Sequence, residues 1–280
     1  MQKIETISAM QEAAKALRLS GKRIAFVPTM GALHAGHASL IRLGREKADV
    51  VIVSNFVNPL QFGPSEDLVK YPRTPLPDAL LCENEGVSLL FSPAAEEMFP
   101  RGFSTLVVED TVSKPLCGVA RPVLFRGVLT CWLKLFNIVQ PDIVVMGEKD
   151  AQQVAVVRKV AADLLLPLQI VTGPTVRDAD GLAVSARNNY LTPTQHEEAL
   201  AVYRALRKAK EMVDSGVKSA DRLVAEVTHL IAEKRRLRVI YISVVDRNTM
   251  EALREIVSGQ CLLAISYWVD EVRLTDNMPL

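Results

Sequence analysis

Apolar runs of strand length alternate with helical periodicity through the first 170 positions of the chain. Arg23–Pro28 predicts a buried strand, followed by a loop and a helix from about His37 to Ala48. Val50–Val57, rich in valine and isoleucine, predicts a second strand that ends at Asn58-Pro59. Beyond a polar loop, Pro77–Glu85 has helical spacing and Val87–Ser92 the character of a strand. Phe125–Val139 reads as a helix, Asp142–Met146 as a strand, Ala151–Leu164 as a helix and Leu168–Val171 as a strand. Strands that are apolar throughout and alternate with helices predict a parallel sheet covered on both faces.

After Thr172 the texture changes. Gly173-Pro174 and the polar stretch Arg177–Asn189 lead into two long helical patterns, Thr194–Ser215 and Ser219–Arg236, and then strand-like runs at Val239–Val245 and Leu262–Trp268. The expected class is therefore α/β, a Rossmann-like parallel sheet over residues 1–173 with a smaller α+β domain over 174–280. In such sheets ligands bind beyond the carboxyl ends of the strands.

Composition narrows the field of functions. With 280 residues, 49% hydrophobic and 23% charged, the chain can bury a large core. A net charge of +1 argues against a broad nucleic-acid or membrane-surface footprint. Cys82, Cys117, Cys131 and Cys261 are too far apart for a zinc or redox pair, as a reducing compartment allows. No secretory h-region precedes Met10 and no run reaches the ~18 apolar residues of a spanning helix, so a cytoplasmic protein is expected.

Candidate chemistry gathers at the expected strand ends. Met30, Gly31, Ala32, Leu33, His34, Ala35, Gly36 and His37 leave a strand and enter a helix. The glycines permit close backbone approach, and imidazoles at i and i+3 on a helix start suit a phosphate gaining charge. Two histidines capping a helix would give the same string. Gly147, Glu148, Lys149 and Asp150 offer contacts for phosphate, ribose or Mg²⁺, although a solvated Lys–Asp turn reads alike. Val184, Ser185, Ala186 and Arg187 place a hydroxyl and a guanidinium on a loop able to close over a triphosphate, or on an ordinary interdomain connection. Asn58 and Gln61 present amides that orient a carboxylate or hydroxyl, and Gln153 stands near Asp150.

Taken together, the stretches Pro28–His37, Phe56–Gly63, Tyr71–Thr74, Lys134–Asp142, Gly147–Asp150, Asp180–Leu182 and Arg273–Asn277 resemble the pantothenate synthetase (pantoate–β-alanine ligase) family of the nucleotidylyltransferase superfamily. The resemblance implies that pantoate attacks the α-phosphate of ATP, with Mg²⁺, and that β-alanine then displaces AMP from pantoyl adenylate. It also implies a homodimer. It assigns Met30–His37, Gly147–Asp150, Val176 and Val184–Arg187 to the nucleotide, with His34, His37, Lys149 and Arg187 acting on the transferring phosphate. Gln61 and Gln153 would hold pantoate, and Gln61 would help to place β-alanine.

Several positions depart from the family pattern. Val123 and Leu124 stand where Gly-His is expected, Cys131 and Trp132 replace small aliphatic residues, Asn55 replaces an aliphatic one, and Ala35, Ala38 and Ala186 also differ. These changes raise a competing expectation of other chemistry on the same scaffold, such as ester hydrolysis with Cys131 as nucleophile and His34 or His37 as base. A protein that binds nucleotide without catalysis is the third.

Overall fold

Val27, Ile52, Val53 and Val144 are sealed from solvent because their strands run through the middle of a sheet. The computed structural model describes residues 1–64 and 66–280. Strands Gln2–Ile4 (β1), Ile24–Thr29 (β2), Val50–Asn55 (β3), Leu89–Phe91 (β4), Ile143–Gly147 (β5) and Gln169–Gly173 (β6) form one parallel sheet in the order β1-β4-β3-β2-β5-β6. The chain order reverses between β2 and β5, so the loops leaving these two strands diverge from a topological switch point. The expected α/β parallel architecture is the observed one.

Through residue 163 the helices are Ile7–Leu19 (α1), Ala35–Lys47 (α2), Pro75–Asn84 (α3), Ala95–Met98 (α4), Cys117–Ala120 (α5), Leu124–Val139 (α6) and Ala151–Asp163 (α7). Helix α2 lies close on the sheet because Gly44 presents no side chain. A Cβ there would stand 3.3 Å from Ala25 and Val51. Helix α6 carries an apolar stripe that buries Phe125, Val128, Leu129, Leu135 and Val139. Residues 1–22 were given no elements by periodicity, yet they hold β1 and α1. Three strand residues are too few to show alternation, and α1 buries only Met10 and Ala14 completely.

The C-terminal region has its own core. Helices Pro193–Asp214 (α8) and Ala220–Ala232 (α9) cover an antiparallel sheet of Leu237–Asp246 (β7), Cys261–Val269 (β8) and Val272–Pro279 (β9), ordered β7-β8-β9. Strand β9 was not expected, because two of its buried positions are Asp276 and Asn277. By contacts the chain forms two units. One holds residues 1–109, 121–148 and 156–174, the other 110–120, 149–155 and 175–280, so the second takes in two segments that chain order places early. Among the described residues no helix is long and apolar enough to cross a membrane.

Candidate active site

Helix α2 begins two residues earlier than its periodicity indicated, and that shift assigns the histidines their tasks. His34 is the N-cap, with extended backbone, and its Nδ1 accepts from the Gly36 N–H at 3.2 Å. His37 is the third helical residue, and its Nδ1 accepts from the His34 N–H at 3.3 Å. The pair therefore closes a reciprocal capping box, with imidazoles in place of the usual hydroxyl and carboxyl. Because each Nδ1 is an acceptor, the proton of each neutral ring resides on Nε2. The ring centroids are 4.1 Å apart. Two N–H donors thus accompany the partial positive charge of the helix start, an arrangement suited to phosphate oxygens.

The loop before this helix is strained and tied down. Gly31 and Ala32 both have left-handed backbone, φ 83° and 50°, which costs an alanine about 1–2 kcal/mol. Asp78 on α3, 1% exposed, offsets this by accepting from the N–H groups of Ala32 (3.1 Å) and Leu33 (2.8 Å). It also accepts from Thr74 Oγ1 (2.9 Å) and Asn55 Nδ2 (2.8 Å). Asn55 is thereby bound into the loop's support. A Cβ at Gly31 would lie 2.4 Å from Asn55 Oδ1.

The stretch after β3 builds a second cluster. Asn58 is buried and donates both amide protons within the protein, to Gln61 Oε1 at 3.1 Å and to the Gly127 carbonyl at 3.0 Å. It accepts from the Leu60 N–H at 3.1 Å. With no amide proton left for a ligand, Asn58 orients Gln61. The Gln61 Nε2 group faces the Met30 sulfur at 2.8 Å, a weak acceptor. Gly127 on α6 makes this packing possible, since a Cβ would fall 2.1 Å from the Leu60 carbonyl oxygen. Arg121 fastens the loop by donating to both Glu66 oxygens (2.5 and 2.6 Å) and to the Gln61 carbonyl (3.0 Å). Gly147 and Glu148 leave the end of β5, the neighbour of β2, and Glu148 accepts from Thr172 Oγ1 at 3.1 Å.

The second unit carries the other candidates. Lys149 Nζ stands 3.6 Å from Asp150 and 3.5 Å from Thr275 Oγ1. Gln153 is half-buried on α7, whereas its neighbour Gln152 is buried and bound to the backbone of Val112, Pro115 and Cys117. The Val176 carbonyl accepts from the Val184 N–H at 3.0 Å. Ser185 caps a 3-10 turn by accepting from the Arg187 N–H at 3.2 Å, and Ala186 is buried inside that turn. Arg187 is half-buried.

Comparison with known proteins gives the family. The profile of the family described as pantoate-beta-alanine ligase matches residues 2–279. The pantothenate synthetase of Heliobacterium modesticaldum is 45% identical over 278 residues, covering 99% of each chain. The chain belongs to the pantoate–β-alanine ligase family. It is accordingly an ATP-dependent, AMP-forming ligase. The crystal structure of the pantothenate synthetase of Thermus thermophilus superimposes with a TM-score of 0.94 at 38% identity, over 99% of each chain. That of the Francisella tularensis ligase, complexed with beta-gamma ATP and β-alanine, gives 0.82 at 30%, covering 100% of this chain and 97% of the other.

For this member of the ligase family the alternative of a Cys131 nucleophile is not favoured. Cys131 is 2% exposed, and burial pushes its thiol up to about 12, so it carries no thiolate at neutral pH. Trp132 is half-buried and meets Phe136, one turn along α6, edge to face at 5.9 Å. Val123 caps α6 without a side-chain bond, and Leu124 is buried. Asp78 escaped notice in the sequence because an acid in the first turn of a helix ordinarily complements the dipole in solvent.

Proposed function

We propose that this ligase works by two displacements on one nucleotide. The pantoate carboxylate attacks the α-phosphorus of ATP and pyrophosphate leaves. The β-alanine amine then attacks the acyl carbon of pantoyl adenylate, loses a proton and expels AMP. The observation that carries this reading is the capping box, in which each Nδ1 accepts a backbone bond and so leaves the proton of a neutral ring on Nε2 at the start of α2. In-line transfer at phosphorus is mainly positioning and charge neutralisation.

His34 and His37 donate to the oxygens of the transferring phosphate, and Met30–Leu33, Ala35 and Gly36 form the backbone wall beside it. Lys149 and Arg187 supply positive charge for the phosphates. Gly147, Glu148, Asp150, Val176, Val184, Ser185 and Ala186 complete the nucleotide contacts. Gln61 gives its Nε2–H to the pantoate carboxylate or hydroxyl and later helps to place β-alanine, Asn58 holds that amide, and Gln153 contributes a second.

Mg²⁺ belongs to the same reading. Among the described residues no three His, Cys, Asp or Glu side chains gather as metal ligands. That donor set fits an ion held chiefly by phosphate oxygens and water, with the exposed Asp150 as its carboxylate. When bound, it would neutralise charge on the departing pyrophosphate. A homodimer, a division into domains at residues 173 and 174, and a cytoplasmic location are part of the same proposal.

ATP–pyrophosphate exchange without β-alanine tests the chemistry. Exchange that requires pantoate, followed by one pantothenate per AMP once β-alanine is added, is the expected result. ATP binding with no pantoate-dependent exchange would overturn it in favour of a non-catalytic binding protein.

A further inference from the structure

Three consecutive residues of β9, outside the set assigned above, bond to Lys149 and Arg177 of the second unit. Asn277, 6% exposed, donates from Nδ2 to the Lys149 carbonyl at 2.8 Å. Thr275 Oγ1 accepts from Lys149 Nζ at 3.5 Å. Between them Asp276, 4% exposed, takes Arg177 on both oxygens, at 2.7 and 2.9 Å. Arg177 further donates to the carbonyls of Gly181 (3.2 Å) and Asn277 (3.3 Å), and its guanidinium lies 4.5 Å from the Tyr203 ring centroid.

Residues 176–184 form a small antiparallel turn built on Arg177. Arg177 pairs with Ala183, the Asp178 N–H bonds the Leu182 carbonyl at 2.8 Å, and the Gly181 N–H bonds the Asp178 carbonyl at 2.9 Å. Gly181 is required there: its φ is 103° and a Cβ would lie 2.0 Å from the Tyr203 ring. The outgoing arm of this turn runs into Val184–Arg187. A bidentate arginine–carboxylate pair fixes orientation as well as distance, and a buried one demands complete partners.

We infer that Thr275, Asp276 and Asn277 are positioning residues for nucleotide. Through Asn277 they set the backbone of Lys149, and through Arg177 the root of the Val184–Arg187 loop, from one rigid strand. This rests on the reading of Lys149 and Arg187 given above. A plain structural tie would lower stability without distinguishing ATP from pantoate, whereas a positioning role weakens ATP alone.

The test uses the full-length enzyme in pantoate-dependent ATP–pyrophosphate exchange. Asn277→Ala is expected to raise KM for ATP about tenfold, the usual scale of one lost hydrogen bond to a fixed group. KM for pantoate and kcat should each change less than threefold. On a Lys149→Ala background the same substitution should add less than twofold, as for residues acting through one another. Thr275→Val, which keeps the shape of β9, should raise KM for ATP about two- to threefold, so the inference stays testable if Asn277→Ala folds poorly. An unchanged KM for ATP in folded Asn277→Ala and Thr275→Val would overturn the inference, as would equal rises for both substrates. If Lys149→Ala raises KM for ATP and the β9 variants do not, the inference alone falls. If Lys149→Ala has no effect, the assignment of Lys149 falls and takes the inference with it.

Discussion

Replacing Asp78 by asparagine exchanges one carboxylate oxygen for an NH₂ group and tests how the loop before α2 is supported. The carboxylate accepts two bonds on each oxygen, from Leu33 N–H and Thr74 on Oδ1 and from Ala32 N–H and Asn55 on Oδ2. An amide does least harm with its NH₂ at the Oδ1 position, where the Thr74 hydroxyl can rotate to accept. The Leu33 N–H then faces another donor. An orphaned buried N–H costs about 1–3 kcal/mol, and the two bonds left on oxygen drop from charge-assisted to neutral strength. Relief from burying a charge offsets part of this. The net loss is about 2–4 kcal/mol, which for a chain of this size lowers Tm by roughly 5–10 °C. Gly31 and Ala32 lose the anchor of their left-handed backbone, and a displacement near 1 Å at a reacting group costs about a hundredfold in rate. Differential scanning calorimetry and pantoate-dependent exchange measure the two effects. A variant that melts within about 1 °C of the parent and exchanges at its rate would refute the reasoning.

Other consequences follow from single contacts. His37→Ala should fold, yet lose about 10²–10³ in exchange rate, as when one donor to a developing oxyanion is removed; circular dichroism and kcat check this. Gly127→Ala drives a Cβ into the Leu60 carbonyl, and should cost about 1–3 kcal/mol by urea unfolding while raising KM for pantoate through displaced Gln61. Cys131 should resist iodoacetamide at pH 8 until urea unfolds the chain; rapid labelling of folded enzyme would contradict its burial. Its thiol moves from an ordinary 9.0 to about 12 on folding, so above pH 9 the unfolded chain binds fewer protons and stability declines as pH rises. Cys131→Ala should make that decline in Tm between pH 9 and 11 shallower without abolishing it, since burial raises the Cys82 thiol to about 12 as well.

Much of the sheet was legible because β2, β3 and β5 are apolar on both faces, which alternation with helices makes unambiguous. The start of α2 was placed at His37 rather than Ala35, since histidine is an unusual cap and Ala35-Gly36 looks like loop. Strand β9 hid behind its buried acid and amide, whose partners Arg177 and Lys149 are distant in sequence. The same distance concealed Asp78, whose partners span residues 32 to 74. Asn58 was visible as an amide, but its role in holding Gln61 depends on the Gly127 carbonyl, 69 residues on. Local pattern reveals elements; it does not reveal where a polar side chain ends.

The histidine capping box places two demands on the same two rings, one on Nδ1 and one on Nε2. If either ring is replaced by an apolar side chain, α2 loses an end-bond as well as a donor. A library screened only for solubility and heat resistance, with no substrate present, should therefore enrich histidine at 34 and 37. Selection for folding would then guard the histidine pair independently of turnover, and drift would relax these two positions more slowly than Lys149, whose charged tip ends no helix.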